Sequence, residues 1–149
     1  MPCYEAILKK PVTVLPSQSV ESVIQILEEH KVSAAPVVDE KGILQGVFSM
    51  KILLKNLLPV SVMMADGIQI DMKIGAAPGI VKRLAHVMPL AVSDIMDRKV
   101  TTVSPDTPLW EGVSLLTAKG GSLSVVDEKM KFLGMITYAS LVGALEKLA

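Results

Sequence analysis

Apolar residues recur along this chain in two rhythms, and the two alternate in the same order twice. Short β-branched runs, Val12-Thr13-Val14-Leu15 and Thr101-Thr102-Val103, predict strands stopped by Pro16 and Pro105. Helical spacing follows: Val20, Ile24 and Leu27 share one face, as do Leu109, Val113 and Leu116. Ser19 is placed to cap the first of these helices. Thr107 followed by Pro108 is placed to cap the second, because proline suits a first helical turn. Gly120-Gly121 ends that second helix. Next come strands over Ala35–Val38 and Leu123–Val126. Asp39-Glu40-Lys41-Gly42 then makes a hairpin turn into a third strand, Leu44–Ser49 or Phe132–Thr137. A closing helix carries Leu53, Leu54 and Leu57, or Leu141, Val142 and Leu145. Each half therefore reads β-α-β-β-α. One such unit has too little core to stand alone, so two should pack sheet to sheet.

The two halves are copies. Val37-Val38-Asp39-Glu40-Lys41 returns 88 positions on as Val125-Val126-Asp127-Glu128-Lys129. At the same offset Gly46 meets Gly134, Leu53 meets Leu141, and Val47-Phe48-Ser49 meets Met135-Ile136-Thr137. Upstream the match continues with one residue inserted. The expected units are residues 1–57 and 93–149. Residues 58–92 form a linker rich in Pro and Gly, with Ile80, Leu84 and Val87 predicting a helix over 78–88.

Composition narrows the function. Half of the 149 residues are hydrophobic, and mean hydropathy is +0.49, which excludes disorder and suggests apolar surface covered by another chain. Every apolar stretch breaks before the ~18 residues a membrane helix needs, and the N-terminus does not read as a signal peptide. Fifteen Lys and Arg balance fifteen Asp and Glu, so no basic field for nucleic acid or membrane is expected. Aromatics at 3% offer no stacking platform. A lone cysteine, Cys3, fits a reducing, cytoplasmic location and reads as a small residue near a frayed terminus. His30 and His86 lack metal-spaced partners. No nucleophile, metal or phosphate-loop pattern supports an enzyme.

The order of Ile95-Met96 before Val103-Ser104-Pro105, the turn Pro36 to Gly42, and the segments Gly46-Val47-Phe48-Ser49 and Gly134-Met135-Ile136-Thr137 resembles the CBS domain family in its paired form, the Bateman module. The resemblance spans about Ala6–Leu57 and Val92–Leu148. It implies an α/β (α+β) fold, two repeats in pseudo-two-fold symmetry, and clefts that take AMP, ADP, ATP or S-adenosylmethionine. It also implies a homodimer, and a signal passed in trans to an effector protein.

Nucleotide-binding members of the family end the third strand in Gly-hydrophobic-hydrophobic-Thr/Ser-x-x-Asp. There the hydroxyl and helix N-terminus face phosphate, and the carboxylate holds the ribose. Ser49 and Thr137 keep the hydroxyl here, and each reads as phosphate-facing or as the cap of the helix that follows. Ile52 and Ser140 stand where the Asp would be, and Ile52 accepts no hydrogen bond. Thr13, Val14, Ala34 and Ala35, with Thr102, Val103, Ser122 and Leu123, match the family's adenine-contacting positions. Lys82-Arg83 reads as phosphate-binding or as a solvated helix face. Met63-Met64 with Met72 reads as an adaptable pocket or as packing. Trp110 reads as a domain or dimer surface. Two functions stay open: a non-catalytic adenosyl-ligand sensor with no required cofactor, and a ligand-free dimerisation module.

Overall fold

The computed structural model describes residues 2–8, 11–58 and 72–148, the side chains of 72–78 excepted. A 3-10 turn, Cys3–Ala6, precedes helix α1 (Val20–His30), strands β1 (Ala34–Val38) and β2 (Leu44–Ser49), and helix α2 (Met50–Leu57). Helix α3 (Met72–Val87) and a second 3-10 turn, Val92–Asp94, lead to β3 (Thr102–Val103) and α4 (Leu109–Lys119). Strands β4 (Leu123–Val126) and β5 (Phe132–Ile136) and helix α5 (Tyr138–Glu146) complete the second repeat. Helix α3 starts earlier than its apolar spacing predicts and takes Pro78 inside it. Residues 59–71, with Met63-Met64, lie outside the described residues.

Each repeat is an antiparallel hairpin with a third strand beside it. In the second repeat β3 runs parallel to β4, and the sheet is three-stranded. In the first, the strand predicted at Val12–Leu15 shrinks to one bridge, Val14 to Val37. The cause is a single residue. The Ser124 N–H donates to the Thr101 carbonyl at 3.1 Å, but Pro36 holds the equivalent place and has no N–H to give.

The hairpin turns match their sequence reading. The Asp39 carboxylate accepts from the N–H groups of Lys41 and Ile43, each at 2.9 Å. Asp127 does the same with Lys129 and Lys131 at 2.8 and 2.9 Å. The left-handed position falls to Gly42 in one turn and to Met130 in the other. The two turns also bond to each other: the Leu44 N–H donates to the Met130 carbonyl, and the Phe132 N–H to that of Gly42. Each of these bonds is the 88-residue image of the other, the mark of a pseudo-two-fold axis between repeats.

Helix faces follow the apolar spacing with three corrections. Leu54, Val142 and Leu145 are exposed, and Ala144 joins Leu141 in the core instead. Gly112 takes the buried place beside Leu109, leaving Val113 half-buried. Thr107 does not cap α4. Its hydroxyl accepts the Ser104 N–H at 3.0 Å and closes the preceding turn, while Ser19 caps α1 as predicted.

Sequence reading missed an exchange of segments. Cys3, expected at a loose end, is fully buried, and with Ala6 it packs into the core of the second repeat. Val92 and Met96 pack into the core of the first, alongside Val87. The backbone bonds are symmetric. The Cys3 N–H donates to Thr107 and Tyr4 to Pro105, while Val92 donates to Gln18 and Ser93 to Pro16. Residues 2–8 and 91–97 are thus equivalent arms, and each lies on the opposite repeat.

Candidate functional site

Each arm ends on a third strand. Val47 and Asp97 exchange N–H bonds at 2.9 Å, and the Leu8 N–H reaches the Met135 carbonyl at 2.8 Å. These contacts require Gly46 and Gly134. A Cβ on Gly46 would lie 2.6 Å from the Asp97 carbonyl oxygen and 2.9 Å from Met96 Sδ; one on Gly134 would overlap Ile7. The two glycines that mark the repeat in sequence are there to let the arms in.

One cleft of about 720 Å³ opens between the repeats. Its walls are duplicated. Val12 faces in from the first repeat and Thr101 from the second; Ser33-Ala34 answers Gly121-Ser122; Val47 answers Met135; Ser49 answers Thr137. Lys31 and Lys119, at the ends of α1 and α4, are likewise equivalent. The Gly120 and Gly121 backbones, both at φ +76°, turn the chain out of α4 and along the cleft wall.

Of the residues singled out by sequence, Ala34, Ser49, Ile52, Ser122 and Thr137 line this cleft together. Thr13, Val14, Ala35, Thr102, Val103, Leu123 and Ser140 lie outside its lining. Val14, Ala35, Val103 and Leu123 are core residues, and the first-strand contact shifts one residue back, to Val12 and Thr101. Lys82 and Arg83 are exposed, and Arg83 Nε donates to the Asn56 carbonyl at 2.9 Å. Trp110 is 72% exposed.

Ser49 and Thr137 have a double role. Ser49 Oγ accepts the Ile52 N–H and Thr137 Oγ1 the Ser140 N–H, both at 3.1 Å, so each caps its helix. Neither cap uses the hydroxyl hydrogen, which remains a donor toward the cleft. Ser140 differs. Its Oγ accepts the Thr137 N–H at 2.9 Å and donates back to the Thr137 carbonyl at 3.2 Å. That capping box occupies the hydroxyl expected to stand in for the ribose carboxylate. Ile52 does face the cleft, as an apolar wall.

Charge in the cleft is uneven with the chain. The whole protein has formal charge +0, yet among the described residues Lys31, Lys51, Lys55, Lys99 and Lys119 line the cleft against Asp97 alone. Sequence counting missed this, because the lysines come from four separate segments. No group of three or more His, Cys, Asp or Glu that could hold a metal is found among the described residues. No described helix is long and apolar enough to cross a membrane.

Paired hairpin repeats, crossed arms and a shared cleft define a two-repeat module with its cavity between the repeats. The chain belongs to the CBS domain family, which matches residues 4–59 and 92–147. It is 28% identical to an uncharacterized protein of Methanocaldococcus jannaschii, over 93% of this chain and 88% of that one. It is also 27% identical to the A-adding tRNA nucleotidyltransferase of Aquifex aeolicus over 87% of this chain, but that stretch is 12% of the enzyme. Among solved structures, the CBS-pair protein CBSX2 from Arabidopsis thaliana superposes with TM-score 0.73 at 26% identity, covering 99% of this chain and 95% of its own. A complex of CBSX2 with AMP gives the same score at 23% identity, covering 99% and 97%. The fold is that of a tandem CBS pair.

Proposed function

We propose that this CBS pair binds an adenosyl ligand (AMP, ADP, ATP or S-adenosylmethionine) between its repeats and passes the occupancy in trans to a partner protein. The observation that carries the reading is the cleft: small residues and free hydroxyl donors from equivalent positions of both repeats converge on one cavity large enough for a nucleotide. The AMP complex of CBSX2, a protein of the same fold, supports it. Ala34 and Ser122 leave room for a flat ring against backbone. Ser49 and Thr137 offer hydroxyl donors to phosphate. Ile52 and Ser140, at the family's ribose-binding positions, carry no carboxylate, so the ligand is held by backbone, hydroxyls, lysines and apolar walls. That favours modest affinity, because a charge-assisted bond worth about 1.5–3 kcal/mol is missing.

The test is a thermal-shift panel of the four ligands. At ligand near 100 times its Kd the gain is about 2.7 kcal/mol, a shift of several degrees in a chain of this size. A flat panel at millimolar ligand refutes the reading.

A second reading has its own observation. Trp110, Tyr138, Val142 and Leu145 are exposed on α4 and α5. We infer from these exposed apolar side chains a homodimer that needs no ligand. Light scattering checks it: a wild-type dimer that Val142→Glu splits supports the face, and a wild-type monomer at micromolar concentration rejects it.

A further inference from the structure

The two halves of the cleft match in shape but not in charge. Helix α2 places Lys51 and Lys55 on the first-repeat side. The equivalent positions on α5 are Ala139 and Gly143, and neither lines the cleft. His30 lies beside Lys31 on the first side, where the second has Ala118 beside Lys119. On the second side Lys119, the counterpart of Lys31, is followed by Gly120, Gly121 and Ser122, with no side chain larger than a hydroxymethyl group at those last three positions. Among the described residues, Asp97 is the one carboxylate lining the cleft with five lysines. Like charges held along one wall repel each other, and an anion between them relieves that repulsion.

We propose that the cleft takes one phosphate-bearing ligand per chain in a single orientation. Its phosphates lie on the first-repeat side against Lys51, Lys55 and Lys31, and its neutral part lies on the second-repeat side against Gly120 to Ser122. The inference deepens the adenosyl reading above and rests on it for the identity of the neutral part. It predicts that affinity rises with phosphate charge, so ATP binds more tightly than AMP and AMP more tightly than adenosine. It also predicts that S-adenosylmethionine, a cation at its sulfonium, is the weakest of the adenosyl ligands. Duplicated walls do not give two equivalent sites, because the pair Lys51 and Lys55 has no counterpart on the second-repeat side.

The test is calorimetry on the whole chain with adenosine, AMP, ATP and inorganic tripolyphosphate, at low and moderate salt. Expected results are one ATP per chain, ATP at least about tenfold tighter than adenosine, and loss of most of that advantage in Lys51→Gln/Lys55→Gln. Adenosine affinity should not change in that variant. Lys41→Gln/Lys129→Gln removes the same charge from the hairpin turns, away from the cleft, and should leave ATP binding intact. Equal affinity for ATP and adenosine overturns the inference while leaving the adenosyl reading in place, as do two equivalent ATP sites. Tripolyphosphate binding that depends on Lys51 and Lys55, with no contribution from adenosine, keeps the anion-binding side and removes the adenosyl reading. No binding of any of the four overturns both.

Discussion

Cys3 and Asp127 show how one residue's surroundings set its chemistry. Burial pushes the Cys3 thiol up, the negative charge of Glu111 adds to this, and the Gly112 backbone offsets part of it. The thiol is therefore expected to resist a thiol reagent at neutral pH in the native protein and to react fully in denaturant. Fast native labelling contradicts its burial. Asp127 goes the other way: the backbone N–H groups of Lys131 and Lys129 hold its carboxyl below the ordinary 3.8. A lowered folded pKa stabilises the fold above the ordinary value, and that contribution is lost as pH falls through the folded one. Asp127→Ala should therefore melt below wild type at neutral pH, with the gap closing as pH drops under 3.8. A gap constant from neutral to strongly acid pH contradicts the turn's role.

At the scale of elements, helix caps and arm contacts carry separate costs. Ser49→Ala and Thr137→Ala each remove a cap acceptor and should cost about 1 kcal/mol in urea unfolding, with Thr137→Ala the larger because it breaks a reciprocal pair. Thr107→Ala removes no cap and should cost less. Gly46→Ala forces a Cβ onto the Asp97 carbonyl and should cost about 1–3 kcal/mol. A neutral Gly46→Ala contradicts the arm's placement.

These elements also show what could be read in advance. Hairpins, caps at Ser19, Ser49 and Thr137, and the core strands were legible, because each rests on local chemistry that one stretch of sequence contains. The arms were not. Pro2–Leu8 and Ala91–Asp97 share no letter at any equivalent position, and they match only in residue type, apolar at Cys3/Val92, Ala6/Ile95 and Ile7/Met96 and acidic at Glu5/Asp94. The shortened first strand was hidden because its cause, Pro36, lies in a different strand. The cleft's lysines were hidden because charge counted along the chain says nothing about charge gathered in space.

For the whole molecule, the crossed arms make the two repeats one thermodynamic unit. The first core includes Val87, Val92 and Met96, and the second includes Cys3 and Ala6. A fragment of residues 1–58 should therefore be unfolded by circular dichroism. In the whole chain, Trp110 fluorescence, which reports on the second repeat, should change together with far-UV circular dichroism in one transition. Two separate transitions contradict the coupling. The same crossing has a consequence for synthesis. Cys3 contacts Pro108, 105 positions later in the chain, so the arm leaves the ribosome long before its docking surface exists. Contacts this distant in sequence make folding slow. In the meantime the nascent chain presents a thiol and an unfinished hairpin core to whatever is nearby. Chaperone holding, and not intrinsic speed, should then set the yield of folded protein in the cell.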